Sequence, residues 1–232
     1  MPKDSGIGAS TKRREDIRFL TGTGNYPDDI NIHGQSHVFF LRSDIAHGTI
    51  NSIDTSAAAA MPGVVKIFTG ADFEGVGGLP CGWQVTDKHG EPMQEPAHPV
   101  IAQGKVRHVG EIVAAVVADT LEQARDAAEA IELDISELPA VVDMKAALLD
   151  GATKVHDDLT SNLCYDWGFV EENKAATDEA FANAAHVTTL ELVNNRLVAN
   201  PMEPRVAGGD FNRATGDHTL YTTSQNPHVI RL

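Results

Sequence analysis

The side chains of this sequence with the most chemistry to offer are ten histidines, two cysteines and a large set of carboxylates. Few of them stand at the spacing that chemistry needs. His33 and His37 lie four apart on a stretch that reads as loop running into strand, where that spacing gives no shared face. No cysteine accompanies them and no H-E-x-x-H pattern occurs, so no metal ligands are assigned. His89 and His98 fall in a Gly/Pro-rich stretch and read as solvated surface groups. Asp28-Asp29 and Asp157-Asp158 are adjacent pairs whose carboxylates point apart in extended chain, which suits turns and caps better than an acid/base dyad. Neither a G-x-S-x-G elbow nor a Walker loop is present, so hydrolase and nucleotide-triphosphate readings have no support. Gly6-Ile7-Gly8 lacks the third glycine of a dinucleotide fingerprint, and Gly75-Val76-Gly77-Gly78 opens no helix. Cys81 and Cys164 show no C-x-x-C spacing and read as ordinary packed thiols. Iron–sulfur clusters usually take four thiolates, so none is expected on this chain.

Composition narrows the partner classes. The 232 residues carry 18 basic and 33 acidic side chains, a formal charge of −15. Nucleic acid and anionic membrane both require a basic footprint, and Lys12-Arg13-Arg14 is the one basic cluster. The longest apolar run, Ile112–Ala118, is far short of the roughly 20 residues that span a bilayer. A twin-arginine export signal is excluded because Thr21-Gly22-Thr23-Gly24-Asn25-Tyr26-Pro27 stands where its apolar core should be. Together with the low cysteine count this points to a reducing cytoplasm. With 42% hydrophobic and 22% charged residues the chain is of globular type. Its length fits one large domain or two small ones.

The elements that would position these groups are legible from periodicity. Residues up to 29 read as an extended arm. Val38-Phe39-Phe40-Leu41 is a strand, with residues 49–53 expected to pair beside it. Asp54 is an N-cap for a helix over 55–61 that Pro62-Gly63 stops, and Val64-Val65-Lys66-Ile67-Phe68 is a strand. Residues 75–99 form a long loop. The strongest signal follows: a buried strand over 112–117, the capping box Thr120/Gln123, a helical stripe Leu121, Ala124, Ala128, Ile131, and an alternating strand with Leu133 and Ile135. Strand, helix and strand in about thirty residues predict a βαβ unit, with 112–118 and 133–136 in one sheet. Short helices are expected over 143–149 and 177–185, a strand over 187–193, and a hairpin joining 206–211 to 219–223 across Asn212-Arg213-Ala214-Thr215-Gly216-Asp217. The pattern stops just after Gln225-Asn226-Pro227-His228-Val229-Ile230, as one piece of a longer or split polypeptide would.

Several motifs, taken in order, carry a resemblance. Val106-Arg107-His108-Val109-Gly110-Glu111, running on through the apolar strand to Asp119-Thr120, resembles the hammerhead domain of the xanthine dehydrogenase/aldehyde oxidase (molybdenum hydroxylase) family, as does Leu138-Pro139-Ala140-Val141-Val142-Asp143. Lys12-Arg13-Arg14-Glu15-Asp16-Ile17-Arg18-Phe19-Leu20-Thr21-Gly22, followed by Asn25-Tyr26-Pro27-Asp28-Asp29, is similar to that family's N-terminal arm. Asn200-Pro201-Met202-Glu203-Pro204-Arg205 and Ser224-Gln225-Asn226-Pro227-His228-Val229 are similar to the opening of its molybdopterin-binding region. The match runs from about Gly6 to the last residue and is strongest to large subunits of the carbon monoxide dehydrogenase-like branch.

That resemblance implies an α+β chain with an N-terminal arm (1–29), an a/b hammerhead domain (30–156) and the incomplete start of a molybdopterin-binding domain (157–232). It implies part of an oxidoreductase that inserts water-derived oxygen into carbon monoxide, an aldehyde or an N-heterocycle at a molybdenum–molybdopterin cytosine dinucleotide centre. FAD and [2Fe-2S] clusters are expected on partner chains, a FAD-binding medium subunit and an iron–sulfur small subunit. Gln225 is implied as the amide that donates to a molybdenum oxo group and so helps bind the cofactor. Glu203 and Arg205 are read as a buried ion pair that supports the site, the alternative being simply a surface pair on a loop. The family's G-G-G-F-G loop, substrate loop and active-site glutamate would follow residue 232, so the chain is expected to be inactive without the rest of the large subunit. The competing expectation is a scaffold or binding module that kept the hammerhead fold without catalysis.

Overall fold

The run Ile112-Val113-Ala114-Ala115-Val116-Val117-Ala118 offers water no polar face, and the fold is built around it: Val113, Ala114, Val116 and Ala118 are all fully buried. The structure, a computed structural model, describes residues 6–168 and 173–231. In chain order its helices and strands are α1 (Asp16–Leu20), β1 (His37–Arg42), β2 (Gly48–Asp54), α2 (Ser56–Ala59), β3 (Val64–Thr69), β4 (Lys105–Val106), β5 (Ile112–Ala118), α3 (Leu121–Glu129), β6 (Glu132–Glu137), α4 (Lys174–Ala182), β7 (Ala207–Phe211), β8 (His218–Thr222) and α5 (Pro227–Ile230). They fall into two compact units: Ser36–Leu190, and the described residues before Ser36 together with those after Leu190.

The first unit holds two antiparallel three-stranded sheets, ordered β1-β5-β3 and β4-β2-β6. Two expectations are corrected here. β1 and β2 do not pair, and β5 does not share a sheet with β6. Both edges of β5 are occupied, by β1 from His37↔Ala118 onward and by β3 from Val64↔Ala118 onward. The strand leaving α3 therefore finds no free edge there and pairs with β2, from Gly48↔Glu137 to Asp54↔Glu132. The strand–helix–strand segment thus links two sheets and is not a βαβ unit within one.

α3 begins as its sequence predicts. Thr120 Oγ1 accepts the Gln123 N–H at 3.2 Å, and Gln123 Oε1 accepts the Thr120 N–H at 3.1 Å. Its buried stripe is Ala124, Ala127, Ala128 and Ile131, packed on Ala114, Val116 and Ala118 with Phe39, Val64 and Ile67 around them. Leu121, expected on that stripe, is 40% exposed. At about 100° per residue, position 121 falls at the edge of the face that these four residues define. Just before α3, Gly63 has φ +80, and a Cβ there would run into the Gln123 side chain. Its carbonyl accepts the Asp119 N–H at 2.9 Å, so the stop of α2 and the start of α3 are one joint. Thr120→Ala removes the cap acceptor and should lower stability by about 1 kcal/mol in chemical denaturation, with an unchanged dependence on denaturant.

A second core cluster, Ala102, Val106 and Val113, packs with Leu41, Ile45, Ile50, Leu133 and Ile135 between the sheets. Beside it sits His47, 3% exposed, whose Nδ1 lies 2.9 Å from the Pro139 carbonyl while its own carbonyl accepts the Leu138 N–H at 2.8 Å. Nothing in the spacing of the histidines marked this one as the buried latch at the end of β6. The long loop over 75–99 is partly ordered by a hairpin-like turn in which Asp87 Oδ1 accepts the His89 and Glu91 N–H groups at 2.7 and 2.9 Å. Its backbone then pairs with the chain beyond residue 160: Lys88 N–H to Asp166 O at 2.9 Å and Gln94 N–H to Cys164 O at 2.8 Å. Hydrogen bonding to the first unit therefore continues past the expected boundary at residue 156.

Other local expectations change in detail. The arm contains α1 and a stacked pair, Phe19 and Tyr26, with ring centroids 5.7 Å apart. The helix expected over 143–149 is a single 3-10 turn, Ala146–Leu148, with Asp143 Oδ1 accepting the Lys145 and Ala146 N–H groups, each at 2.8 Å. Residues 187–193 are without regular structure. A strand's backbone needs a neighbouring ladder, and none reaches this segment among the described residues. Both thiols are free, and Cys164 is exposed where a packed thiol was expected.

Candidate functional site

The second unit carries the residues singled out by the molybdopterin-binding motifs. β7 and β8 pair from Ala207↔Thr222 to Phe211↔His218. The turn between them is held by its own side chains: Asn212 Oδ1 accepts the Ala214 N–H at 2.9 Å, and Thr215 Oγ1 donates to Asp217 at 2.6 Å. The Phe211 and His218 rings meet across the last pair, tilted by 33° with centroids 4.6 Å apart. At the open end, Thr222 Oγ1 donates to the Val206 carbonyl at 3.0 Å.

That register fixes where the three candidate residues emerge. Arg205 lies two residues before β7 and Gln225 three residues after β8, so the Ala207↔Thr222 pair brings both to the same end of the hairpin. Gln225 stands in the bend between β8 and α5, where Ser224 Oγ accepts the Asn226 N–H at 2.9 Å and Pro227 starts the helix. Its carboxamide is exposed and makes no hydrogen bond to the described residues. Glu203 and Arg205 are likewise exposed, and no ion pair joins them. Asn200 opens this segment with φ +44, a left-handed turn that asparagine tolerates better than most side chains. The hairpin end thus presents an unspent amide donor, a carboxylate and a guanidinium on short, locally tied turns. Among the described residues no three His, Cys, Asp or Glu side chains are grouped to hold a metal ion.

The first unit holds a second polar feature that motif reading missed. Arg107, His108, Glu111 and His156, with His98 nearby, line a cavity of about 260 Å³. Glu111 accepts the Arg107 backbone N–H at 2.5 Å and lies 3.6 Å from His108 Nδ1. Burial, and then the Arg107 charge, hold the His156 imidazole below its ordinary pKa of 6.5, against the opposing pull of Asp158, Glu111 and Asp157. The folded protein therefore keeps His156 neutral where the unfolded chain takes up a proton. Stability from this group is complete above pH 6.5 and is lost as pH falls below it. Urea midpoints measured from pH 7.5 down to 5.5 should drop more steeply for the wild type than for His156→Gln.

Comparison with known proteins places this geometry in a family. The model of the aldehyde oxidase and xanthine dehydrogenase a/b hammerhead domain matches residues 21–139, and that of the molybdopterin cofactor-binding domain matches residues 155–232. The chain belongs to the aldehyde oxidase/xanthine dehydrogenase family, and its fold is that family's α+β hammerhead followed by the start of a molybdopterin-binding domain. It is 34% identical over 226 residues to the nicotine 6-hydroxylase large subunit of Paenarthrobacter nicotinovorans, covering 97% of this chain and 27% of that protein. It is 36% identical over 230 residues to the carbon monoxide dehydrogenase large chain of Hydrogenophaga pseudoflava, covering 94% and 27%. The crystal structure of quinoline 2-oxidoreductase from Pseudomonas putida 86 superposes with a TM-score of 0.84 at 37% identity, over all of this chain and 28% of that one. The chain spans just over a quarter of the length of these relatives. No helix among the described residues is long and apolar enough to cross a membrane.

Proposed function

We propose that this chain is the N-terminal part of the large subunit of a cytoplasmic molybdenum hydroxylase, with its cofactor-binding region beginning near residue 157. It acts once joined to the remainder of that subunit, to a FAD-binding medium subunit and to an iron–sulfur small subunit. When bound, the molybdenum–molybdopterin cytosine dinucleotide supplies the redox centre at which water-derived oxygen enters carbon monoxide, an aldehyde or an N-heterocycle. The role of this chain's own residues is to bind and orient. Gln225 donates its amide N–H toward the cofactor, a neutral donor that positions without adding charge. Glu203 and Arg205 brace the neighbouring turn once the facing polypeptide covers it.

The observation that supports this reading is the pairing of an unspent amide at the hairpin end with an apolar segment that nothing covers among the described residues. Leu197 and Met202 are 91% and 102% exposed, and Leu192 and Val198 are little less so. Such a row of apolar side chains is unfavourable in water and suits burial against another polypeptide. Limited proteolysis of the isolated chain should cut within 186–202 while β5 and α3 resist. Adding the polypeptide that supplies the rest of the large subunit should suppress those cuts. Continued cleavage in a formed complex would refute this docking.

A further inference from the structure

The cavity beside β4 has a feature that the folding of the unit leaves unexplained. Arg107 lines it, yet among the described residues the buried Arg107 Nε–H has no acceptor, and the guanidinium makes one long bond, from an NH group to the Lys105 carbonyl at 3.5 Å. Buried donors are almost always paired, by protein, by ordered water or by a ligand. A guanidinium with donors to spare is a fork suited to the oxygens of a phosphate or a carboxylate.

The surroundings agree with an anionic occupant. Glu111, the carboxylate in the lining, is already engaged by the Arg107 backbone N–H at 2.5 Å. Asp157, at the edge of this region, is neutralised by Lys105 Nζ at 2.6 Å. Lys154 donates to the backbone carbonyls of Asp157 and Leu159, each at 2.8 Å, and so keeps that turn in place. Among the described residues no carboxylate lies within ion-pairing distance of the Arg107 guanidinium, whose charge reaches Asp157 only at longer range. His98 and His108 stand exposed at the mouth, and the half-buried His156 adds a neutral imidazole that can donate or accept. A cation would meet the guanidinium, and no ligand set for one exists among the described residues. The volume, about 260 Å³, is at or just below the lower end of small-molecule sites, which favours a compact ligand.

We infer that the Arg107 cavity is a binding site for a small oxyanion, a phosphate or carboxylate group gripped by the guanidinium. The site lies within the first unit, where Val155 and His156 open the region matched to the cofactor-binding domain, and it shares no residue with the Gln225 end of the hairpin. Calorimetric titration of the full chain at constant ionic strength, with inorganic phosphate in one arm and acetate in the other, tests it. Saturable binding of at least one anion is expected, with a Kd of about 1 mM or tighter. The arm that responds identifies the group. Arg107→Gln should weaken that binding at least tenfold. Arg107→Lys, which keeps charge but loses the fork, should weaken it less. Glu111→Gln should tighten it several-fold, because it removes a repelling charge while its amide oxygen can still accept the Arg107 N–H. That gain cannot arise from misfolding. No saturable binding of either anion would overturn the assignment and leave the cavity to water. Binding unchanged in Arg107→Gln, or weakened in Glu111→Gln, would also overturn it.

Discussion

Gln225→Ala, introduced into the assembled enzyme, lowers turnover about 100-fold while molybdenum occupancy stays at the wild-type level. Removing one preorganised donor typically costs about 100–1000-fold where it stabilises developing charge. The lower end is expected because an amide that also binds the resting cofactor contributes to both states, and only the difference appears in the rate. Gln225 suits the role by position: the bend between β8 and α5 holds its backbone, and its side chain is committed to nothing else among the described residues. Gln225→Glu tests the need for neutrality, since it keeps reach but introduces an acid whose charge would face the cofactor's oxygens. Metal analysis beside the kinetics separates two outcomes. Full occupancy with unchanged turnover in Gln225→Ala excludes the role. Lost occupancy shows that the amide retains the cofactor.

Val116→Asp should destabilise the hammerhead unit by about 3–5 kcal/mol, the largest loss expected of a single core substitution. Val116 is fully buried in the cluster formed with α3, and its neighbours there are alanines and apolar side chains. A carboxylate at this point has no partner, and an uncompensated buried charge costs about 3–5 kcal/mol. Against a total stability of roughly 5–15 kcal/mol that is a large share. At about 2–4 °C per kcal/mol for a chain of this size, the thermal midpoint falls by roughly 10 °C or more. Val116→Ile, which only adds a methylene group, should cost far less. Calorimetry of both variants distinguishes loss of apolar burial from crowding. A Val116→Asp midpoint within a degree or two of the wild type would mean that this core does not govern stability.

Local structure was legible in the sequence wherever short-range chemistry decides it. The Thr120/Gln123 box, the Pro62-Gly63 stop and the turn over 212–217 all formed as their residue types demand, because each is set by hydrogen bonds within a few residues. Sheet membership was not legible, because it depends on which edges are already taken. β5 and β6 look like neighbours in sequence, yet β1 and β3 occupy both sides of β5. Leu121 was misplaced because the buried face centres on 124, 127, 128 and 131, and 121 falls at its edge. Of the site, the motif around Gln225 was visible because it is contiguous. The cavity of Arg107, Glu111 and His156 was not, because His156 is distant in sequence and no motif spacing joins it to the other two.

On the proposed function, this chain completes a cofactor site together with the remainder of a large subunit. The most direct test is the molybdenum and cytidine nucleotide content of the complex purified after co-expression of this chain with the polypeptide that supplies the remainder. Near-stoichiometric molybdenum is expected in that complex, with cytidine monophosphate released on acid hydrolysis, and neither in the chain purified alone. A stable complex that contains this chain but neither molybdenum nor the nucleotide would contradict the proposed function.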